Sequence, residues 1–262
     1  MIKLGEYYVD RFLTVSALNP KTNDLMAVLK NVSEGSIEIS AESKEVKDGR
    51  GNLIQKIYTG KTGTFSFKNA LLHAGAQALM SGATLKEGTA DSKLHVTMVK
   101  EVPVGTTDVV LTGAKEGTIT VAGIGGSAAI VKTYTVDTAA AADKASFATE
   151  GSKLTLPTGE QAGVVSYVIH YDAELDNAVG FTNSANEFPK TMKLVARAVI
   201  YDACDAVEGK VGIIEIKSAK PSPETTMDFQ SDSTLDFKGD IQADYCSANK
   251  ELYSIYFLED EE

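Results

Sequence analysis

Residues Glu45 to Gly82 read EVKDGRGNLIQKIYTGKTGTFSFKNALLHAGAQALMSG, a polar glycine-bent loop, two β-type runs and a short small-residue helix in succession. Asp48, Gly49, Gly51 and Asn52 are residue types that tolerate the positive φ of a tight loop. Ile54 to Tyr58 and Thr64 to Phe67 carry β-branched and aromatic residues, with Phe65 and Phe67 on one face and Thr64 and Ser66 on the other. The period then changes. With Asn69 as N-cap, apolar residues fall at Leu71, Leu72, Ala74, Ala78 and Leu79 until Ser81 and Gly82, which predicts a helix over 69–81. Its Ala- and Gly-rich surface allows close approach, but it is too short to hold itself together in water.

Upstream, Ile37, Ile39 and Ala41 alternate with Glu38, Ser40 and Glu42, the pattern of a half-buried strand. Residues 1–30 read as a polar arm with a turn at Asn19-Pro20. Downstream come short strands separated by turns: Leu94 to Val99, Val109 to Leu111, Thr118 to Val121, Ala129 to Val136, Lys153 to Leu156 and Val164 to Tyr171. Thr138 to Lys144 is alanine-rich and reads as a surface loop. A third series follows at Lys190 to Tyr201, Lys210 to Lys217, Thr225 to Phe229, Thr234 to Ala243 and Glu251 to Leu258, with Pro221-Ser222-Pro223 as a strand-ending loop. The fold class expected is therefore all-β, an antiparallel barrel or sandwich with one short flanking helix. In Thr191 to Tyr201 and in Leu252 to Leu258 both faces are apolar, so protein covers both. That cover is either a second subunit or a helix over the centre of a two-layer sandwich.

The 262 residues are 43% hydrophobic, enough for one large β domain or two modest ones. Acidic residues outnumber basic ones by 36 to 25, and a net charge of -11 argues against binding nucleic acid through its phosphates. No apolar run reaches the roughly 20 residues of a membrane helix, and MIKLGEYYVDRFL lacks the apolar core of a secretory signal, so synthesis in a cytoplasm is expected. Cys204 and Cys246 then read as reduced thiols, and Asn31-Val32-Ser33 as a chance tripeptide.

The sequence offers no candidate catalytic residue, metal ligand set or cofactor motif. His73, His95 and His170 lack ligand spacing, and His170, Asp172, Glu174 and Asp176 sit at a strand end where acidic turn residues are ordinary. Asp228, Asp232, Asp236 and Asp240 recur every four residues among strand-type neighbours and do not match a calcium loop, so they read as a solvated acidic rim. Gly123-Ile124-Gly125-Gly126-Ser127 lacks the lysine and helix of a phosphate loop and reads as a hairpin turn. There is no G-x-S-x-G elbow and no Trp, which leaves both a hydrolase and a carbohydrate binder without support.

The order of polar arm, alternating strand, DGRGNLI, KTGTFSFKNALL and short helix resembles the tail tube proteins of tailed bacteriophages. The stretch from Phe188-Pro189-Lys190 through Thr234-Leu235-Asp236-Phe237 to Glu251 to Leu258 is similar to phage virion proteins of this type; together these parts cover a little over half of the chain. The resemblance implies a structural virion protein and not an enzyme: a tube subunit assembled in the host cytoplasm into hexameric rings, stacked into a DNA-conducting channel of the tail. It assigns 31–100 and 187–258, with helix 69–81, to a tube-type β core, residues 1–30 to the arm, 101–186 to an inserted or elaborating β region, and 259–262 to an acidic tail. Carried onto this sequence, Lys47, Asp48, Gly49, Arg50, Gly51 and Asn52 form the inter-ring loop, and Leu71, Leu72, Ala78 and Leu79 pack the flanking helix. Sheath, tape measure and baseplate proteins are the implied partners, with no membrane and no sequence-specific nucleic-acid contact. Six copies would carry about -66, so DNA would pass an acidic wall without sticking. A capsid decoration or baseplate protein is the nearest alternative, and a surface adhesion or ligand-binding β-sandwich the alternative from another class.

Overall fold

The computed structural model of the protein describes residues 6–203, 205–227, 230, 233–245 and 247–258. Cys204, Asp228, Phe229, Asp232, Cys246 and the tail 259–262 lie outside the described residues, as do the first five residues of the arm. Strands make up 56% of the chain and helical residues 5%, so the fold is mainly β. In chain order the elements begin with β1 (Tyr7–Leu18), β2 (Leu25–Leu29), β3 (Val32–Lys47), β4 (Leu53–Asn69) and α1 (Ala74–Ser81). There follow β5 (Lys86–Glu87), β6 (Leu94–Pro103), β7 (Asp108–Val110), β8 (Thr120–Ile124), β9 (Ile130–Asp137), β10 (Lys144–Ala148), β11 (Lys153–Thr155), β12 (Ser166–Leu175) and β13 (Val179–Gly180). The last four are β14 (Met192–Asp202), β15 (Asp205–Pro221), β16 (Leu235–Ile241) and β17 (Ser254–Leu258). They form two compact units, the first of Met1–Leu85 with Phe181–Glu262, the second of Lys86–Gly180.

The first unit is one eight-stranded sheet in the order β2-β1-β14-β15-β16-β4-β3, with β17 also paired to β15. Every neighbouring pair in it is antiparallel. Period-2 patterning buries a single face: Met192, Leu194, Ala196 and Ala198 on β14, Leu235, Phe237 and Ile241 on β16, Phe65 and Phe67 on β4. The sheet curls around these residues until Phe12 of β1 meets Phe67 of β4 edge to face, ring centroids 5.9 Å apart. Helix α1 adds Ala76 and Met80 to the same core. Each fully buried aliphatic or aromatic side chain here stabilises the unit by about 1.5–3 kcal/mol.

Several expectations change in the folded chain. The runs at 54–58 and 64–67 are one 17-residue strand, because Gly60 and Gly63 continue the extended backbone instead of breaking it. The helix begins at Ala74, since Asn69 closes β4 and is spent on backbone groups there: its Oδ1 accepts from Asn31 N–H at 3.2 Å and its Nδ2 donates to Leu71 O at 2.6 Å. Residues 7–18 and 25–29 of the segment read as an arm are β1 and β2, laddered onto β14 and onto each other. Residues 225–227 are not strand. On β14 the alternate residues Val195 and Val199 are half-buried, so in the isolated chain the second face is only partly covered.

The second unit is a seven-stranded sheet, β6-β12-β8-β9-β10-β11-β7, with β5 and β13 as a separate two-stranded ribbon. β6, grouped by the sequence with the tube-type core, pairs here with β12 along its whole length. β12 alternates buried Tyr167, Ile169, Tyr171 and Ala173 with exposed His170 and Asp172. Burial pushes the Tyr134 phenol upward, and its hydroxyl is satisfied by donating to Gln161 Oε1 at 2.7 Å. β8 and β9 are joined by the hairpin expected at Gly123 to Ser127, while β10 after the alanine-rich loop pairs with β9 in parallel and carried no legible sequence signal.

Candidate functional site

The feature of the first unit that its own fold does not account for is the outer part of the β3–β4 hairpin. β16 pairs with β4 only from Gly63 to Asn69, whereas β3 and β4 continue to pair with each other out to Lys47 and Leu53. Residues 40–62 therefore leave the sheet as a two-stranded ribbon, roughly 30 Å long at about 3.3 Å per residue. Such a ribbon is marginal by itself. It carries exposed apolar side chains on both faces: Val46 and Ile57 lie on one, Tyr58 and, past a bulge that sets it opposite Lys47, Leu53 lie on the other, and Ile54 sits at the bulge. Leu53 is 55% exposed, Ile54 65% and Tyr58 66%, values that call for a partner. The alternation of Ile39 and Ala41 predicts a half-buried strand, yet both are exposed: Ile39 lies opposite Gly63 in the last row that β16 reaches, and Ala41 lies beyond it.

The turn at the ribbon's end is held by one carboxylate. Asp48 Oδ1 accepts from the N–H groups of Arg50 at 2.9 Å and Asn52 at 2.8 Å, and Oδ2 from Asn52 Nδ2 at 2.9 Å. Gly51 donates its N–H to Asp48 O at 3.0 Å and sits at φ +86°, a conformation that glycine adopts at little cost and a β-branched residue does not. Lys47 pairs with Glu45 at 2.9 Å, both exposed, so this ion pair adds little. The hydrogen bonds from Asn52, foremost its side chain, hold the Asp48 carboxyl below its ordinary 3.8. A depressed carboxyl favours the folded turn above the ordinary value and loses that contribution as pH falls through the folded value. The Arg50 and Asn52 amide resonances are accordingly expected to titrate with a midpoint below 3.8; a midpoint at or above it would show that the turn is not held by this carboxylate.

Leu71 and Leu72 precede α1 and are exposed, whereas Ala78 is buried and Leu79 packs against the core from the helix itself. The N-cap is His73, whose Nδ1 accepts from Ala76 N–H at 3.2 Å, a role sequence statistics do not assign to histidine. Gly82 ends the helix at φ +78°, where a Cβ would come within 2.5 Å of the Phe188 carbonyl carbon.

The remaining polar clusters are engaged in strand-to-strand contacts. Asp172 accepts from Thr97 Oγ1 at 2.8 Å, Glu174 faces His95 at 3.8 Å, and Asp236 accepts from Ser66 Oγ at 2.8 Å. Among the described residues no three His, Cys, Asp or Glu side chains group as a metal ion requires. Among the described residues no helix is long and apolar enough to cross a membrane. The six loop residues Lys47 to Asn52 thus come together at one tip, and the apolar residues behind them, Leu53, Ile54, Ile57 and Tyr58, belong to the same surface. Sequence reasoning assigned these only to a strand; the missing signal is where β16 stops, which no local pattern encodes.

A family model described as YomU/Tube protein family matches residues 9–255. No curated protein matches the chain.

Proposed function

We propose, from the premise that the chain belongs to the YomU/Tube protein family, that it is a tail tube subunit whose copies close into hexameric rings and stack into a channel for DNA. Membership supports reading it as a structural protein of the phage tail tube, a virion component. The observation that carries the finer reading is the ribbon of residues 40–62, paired only with itself and apolar on both faces. A ring neighbour would use a different surface. β17 pairs with β15 on one edge, and among the described residues no strand pairs with its other edge; β2 and β3 end the sheet on either side. Open edges of this kind invite uncontrolled pairing unless a second copy closes them. A net charge of -11 per copy keeps the assembled wall from binding the DNA that passes it. Assembly in the host cytoplasm, with sheath, tape measure and baseplate proteins as neighbours, follows from that place in a tail.

Electron microscopy of the purified chain at high concentration, with and without a preformed tube seed, tests the reading. Rings and tubes of six-fold symmetry are expected; a chain that stays monomeric under both conditions contradicts it. Two loop variants refine the test. A Cβ at Gly49 meets nothing, so Gly49→Val is expected to leave the thermal melt within about 0.5 kcal/mol of the parent while slowing stacking. Gly51→Val, at positive φ, adds a local strain of about 1–3 kcal/mol and slows stacking further. If Gly49→Val tubes grow at the parent rate, the loop does not lie at the contact.

A further inference from the structure

Asp48-Gly49, at the tip of the β3–β4 ribbon, is the single Asp-Gly step in the 262 residues, and Asn-Gly does not occur. An aspartyl side chain followed by glycine is chemically reactive. The amide nitrogen of the next residue can attack the carboxyl carbon, and the side chain of that next residue is what shields the nitrogen. Glycine has none. Gly49 is exposed, and a Cβ added there would meet nothing within 4 Å, so no neighbour supplies the missing shield. The turn is built on the N–H groups of Arg50, Gly51 and Asn52, and that of Gly49 takes no part in it.

The carboxyl is the half of the pair that the fold restrains. Its oxygens accept from Arg50 N–H, Asn52 N–H and Asn52 Nδ2, which fixes the group within the turn. The same bonds favour the ionised form. An ionised carboxyl is the poorer electrophile, because it must gain a proton before oxygen can leave as water. Two of the three bonds come from Asn52, so the restraint on the reactive carbon rests mainly on that residue.

We propose that Asp48-Gly49 is a site of isoaspartate formation and that Asn52 holds the conversion in check. The Gly49 nitrogen bonds to Asp48 Cγ and gives up its proton, the carboxyl hydroxyl leaves as water, and a five-membered succinimide closes. Both reacting atoms belong to one loop, so the step is intramolecular and its rate follows how often the turn lets them meet. Water then adds to one of the two ring carbonyls and breaks its bond to nitrogen. Rupture at Cγ restores aspartate. Rupture at the backbone carbonyl carbon leaves the chain running through the side chain, with a free carboxylate on the Asp48 Cα. One water is lost and one regained, so mass and charge are unchanged and no co-reactant is consumed. The product has one more methylene in its backbone, and its carboxylate no longer stands where the N–H groups of Arg50 and Asn52 reach it. The site does not depend on what the tip touches. Where copies stack through the tip, conversion removes a copy from assembly and so limits the working life of an unassembled chain.

The test incubates the full chain near neutral pH in water enriched in heavy oxygen, then resolves by chromatography and mass spectrometry the peptide spanning residues 48 and 49. An isomer carrying one heavy oxygen is expected to accumulate slowly in the parent. In Asn52→Ala, with an unchanged melt, it is expected about fivefold faster or more, because the turn that restrains the carboxyl opens more often. The parent unfolded in urea supplies the unrestrained rate without any substitution. Gly49→Val, which shields the nitrogen, is expected to suppress the isomer in either background. Absence of the isomer from Asn52→Ala, or its formation at the same rate with Gly49→Val, overturns the site. Equal rates in the parent, in Asn52→Ala and in urea overturn Asn52 as its restraint. Converted chains separated from unconverted ones and offered to tube seeds are expected to grow more slowly; growth at the parent rate overturns the tip as a stacking contact and leaves the site standing.

Discussion

Replacing residues 42–60 by a two-residue Asn-Gly turn between Ala41 and Lys61 is expected to abolish tube growth while leaving the first unit folded. The shortened hairpin keeps a register that already exists, Ala41 opposite Lys61, and Asn-Gly supplies the turn that closes a two-residue loop. None of the removed residues belongs to the hydrophobic core or packs against it; Ile37, Phe65 and Phe67, which do, all remain. The folded state therefore loses only a solvated ladder. Assembly loses much more. Burying each of Val46, Leu53 and Ile57 at a contact contributes about 1.5–3 kcal/mol, so their joint removal costs on the order of 5 kcal/mol, more than a thousandfold in association. Sedimentation of seeded samples and a thermal melt of the same preparation separate the two effects. Parent-like tubes from the shortened chain would remove the ribbon from any account of stacking.

The largest effect on folding is expected from Phe67→Ala. Phe67 is 1% exposed and its ring lies 5.9 Å from Phe12 and 6.1 Å from Phe65, where the curled sheet brings β1 over β4. Emptying that site removes the transfer free energy of the ring and leaves a cavity that the surrounding strands cannot close, a loss of about 3–5 kcal/mol. For a unit of this size that lowers the melting temperature by roughly 10 °C or more. Phe188→Ala, at a position 65% exposed, is the matched control and is expected to change stability by less than about 0.5 kcal/mol. If calorimetry finds Phe67→Ala no worse than Phe188→Ala, the junction between β1 and β4 does not hold the sheet in its curl.

The class of the fold was legible because strand patterning is local: Phe65 and Phe67 inward with Thr64 and Ser66 outward, and Leu235, Phe237 and Ile241 inward from exposed Asp236 and Asp240, follow from period two alone. The helix was legible in kind but not in its start, since Asn69 has the side chain of a cap and only the ladder to β16 and the bond to Asn31 commit it elsewhere. β1 and β2 were hidden for a similar reason. Their sequence is polar enough to pass for an arm, and it is the pairing of Tyr7 to Leu18 with β14, nearly two hundred residues away by the numbering, that makes them strands. At the candidate site the turn residues announced themselves through Asp48, Gly51 and Asn52. The surface behind them did not. Leu53, Ile54 and Tyr58 look like core residues in sequence, and their exposure depends on how far β16 reaches, a property of the whole sheet and not of any window of it.

The small ribbon of β5 and β13 has a consequence for how this chain can change. Lys86 pairs with Gly180 and Glu87 with Val179, so the two crossings of the second unit's boundary are neighbours on one ladder, about 5 Å apart. To the first unit, the whole of the second is a loop whose ends are already joined, and a closed loop imposes a cost that grows only with the logarithm of its length. Exchanging residues 86–180 for another fold with adjacent termini is therefore expected to leave the registers of the eight-stranded sheet as they are.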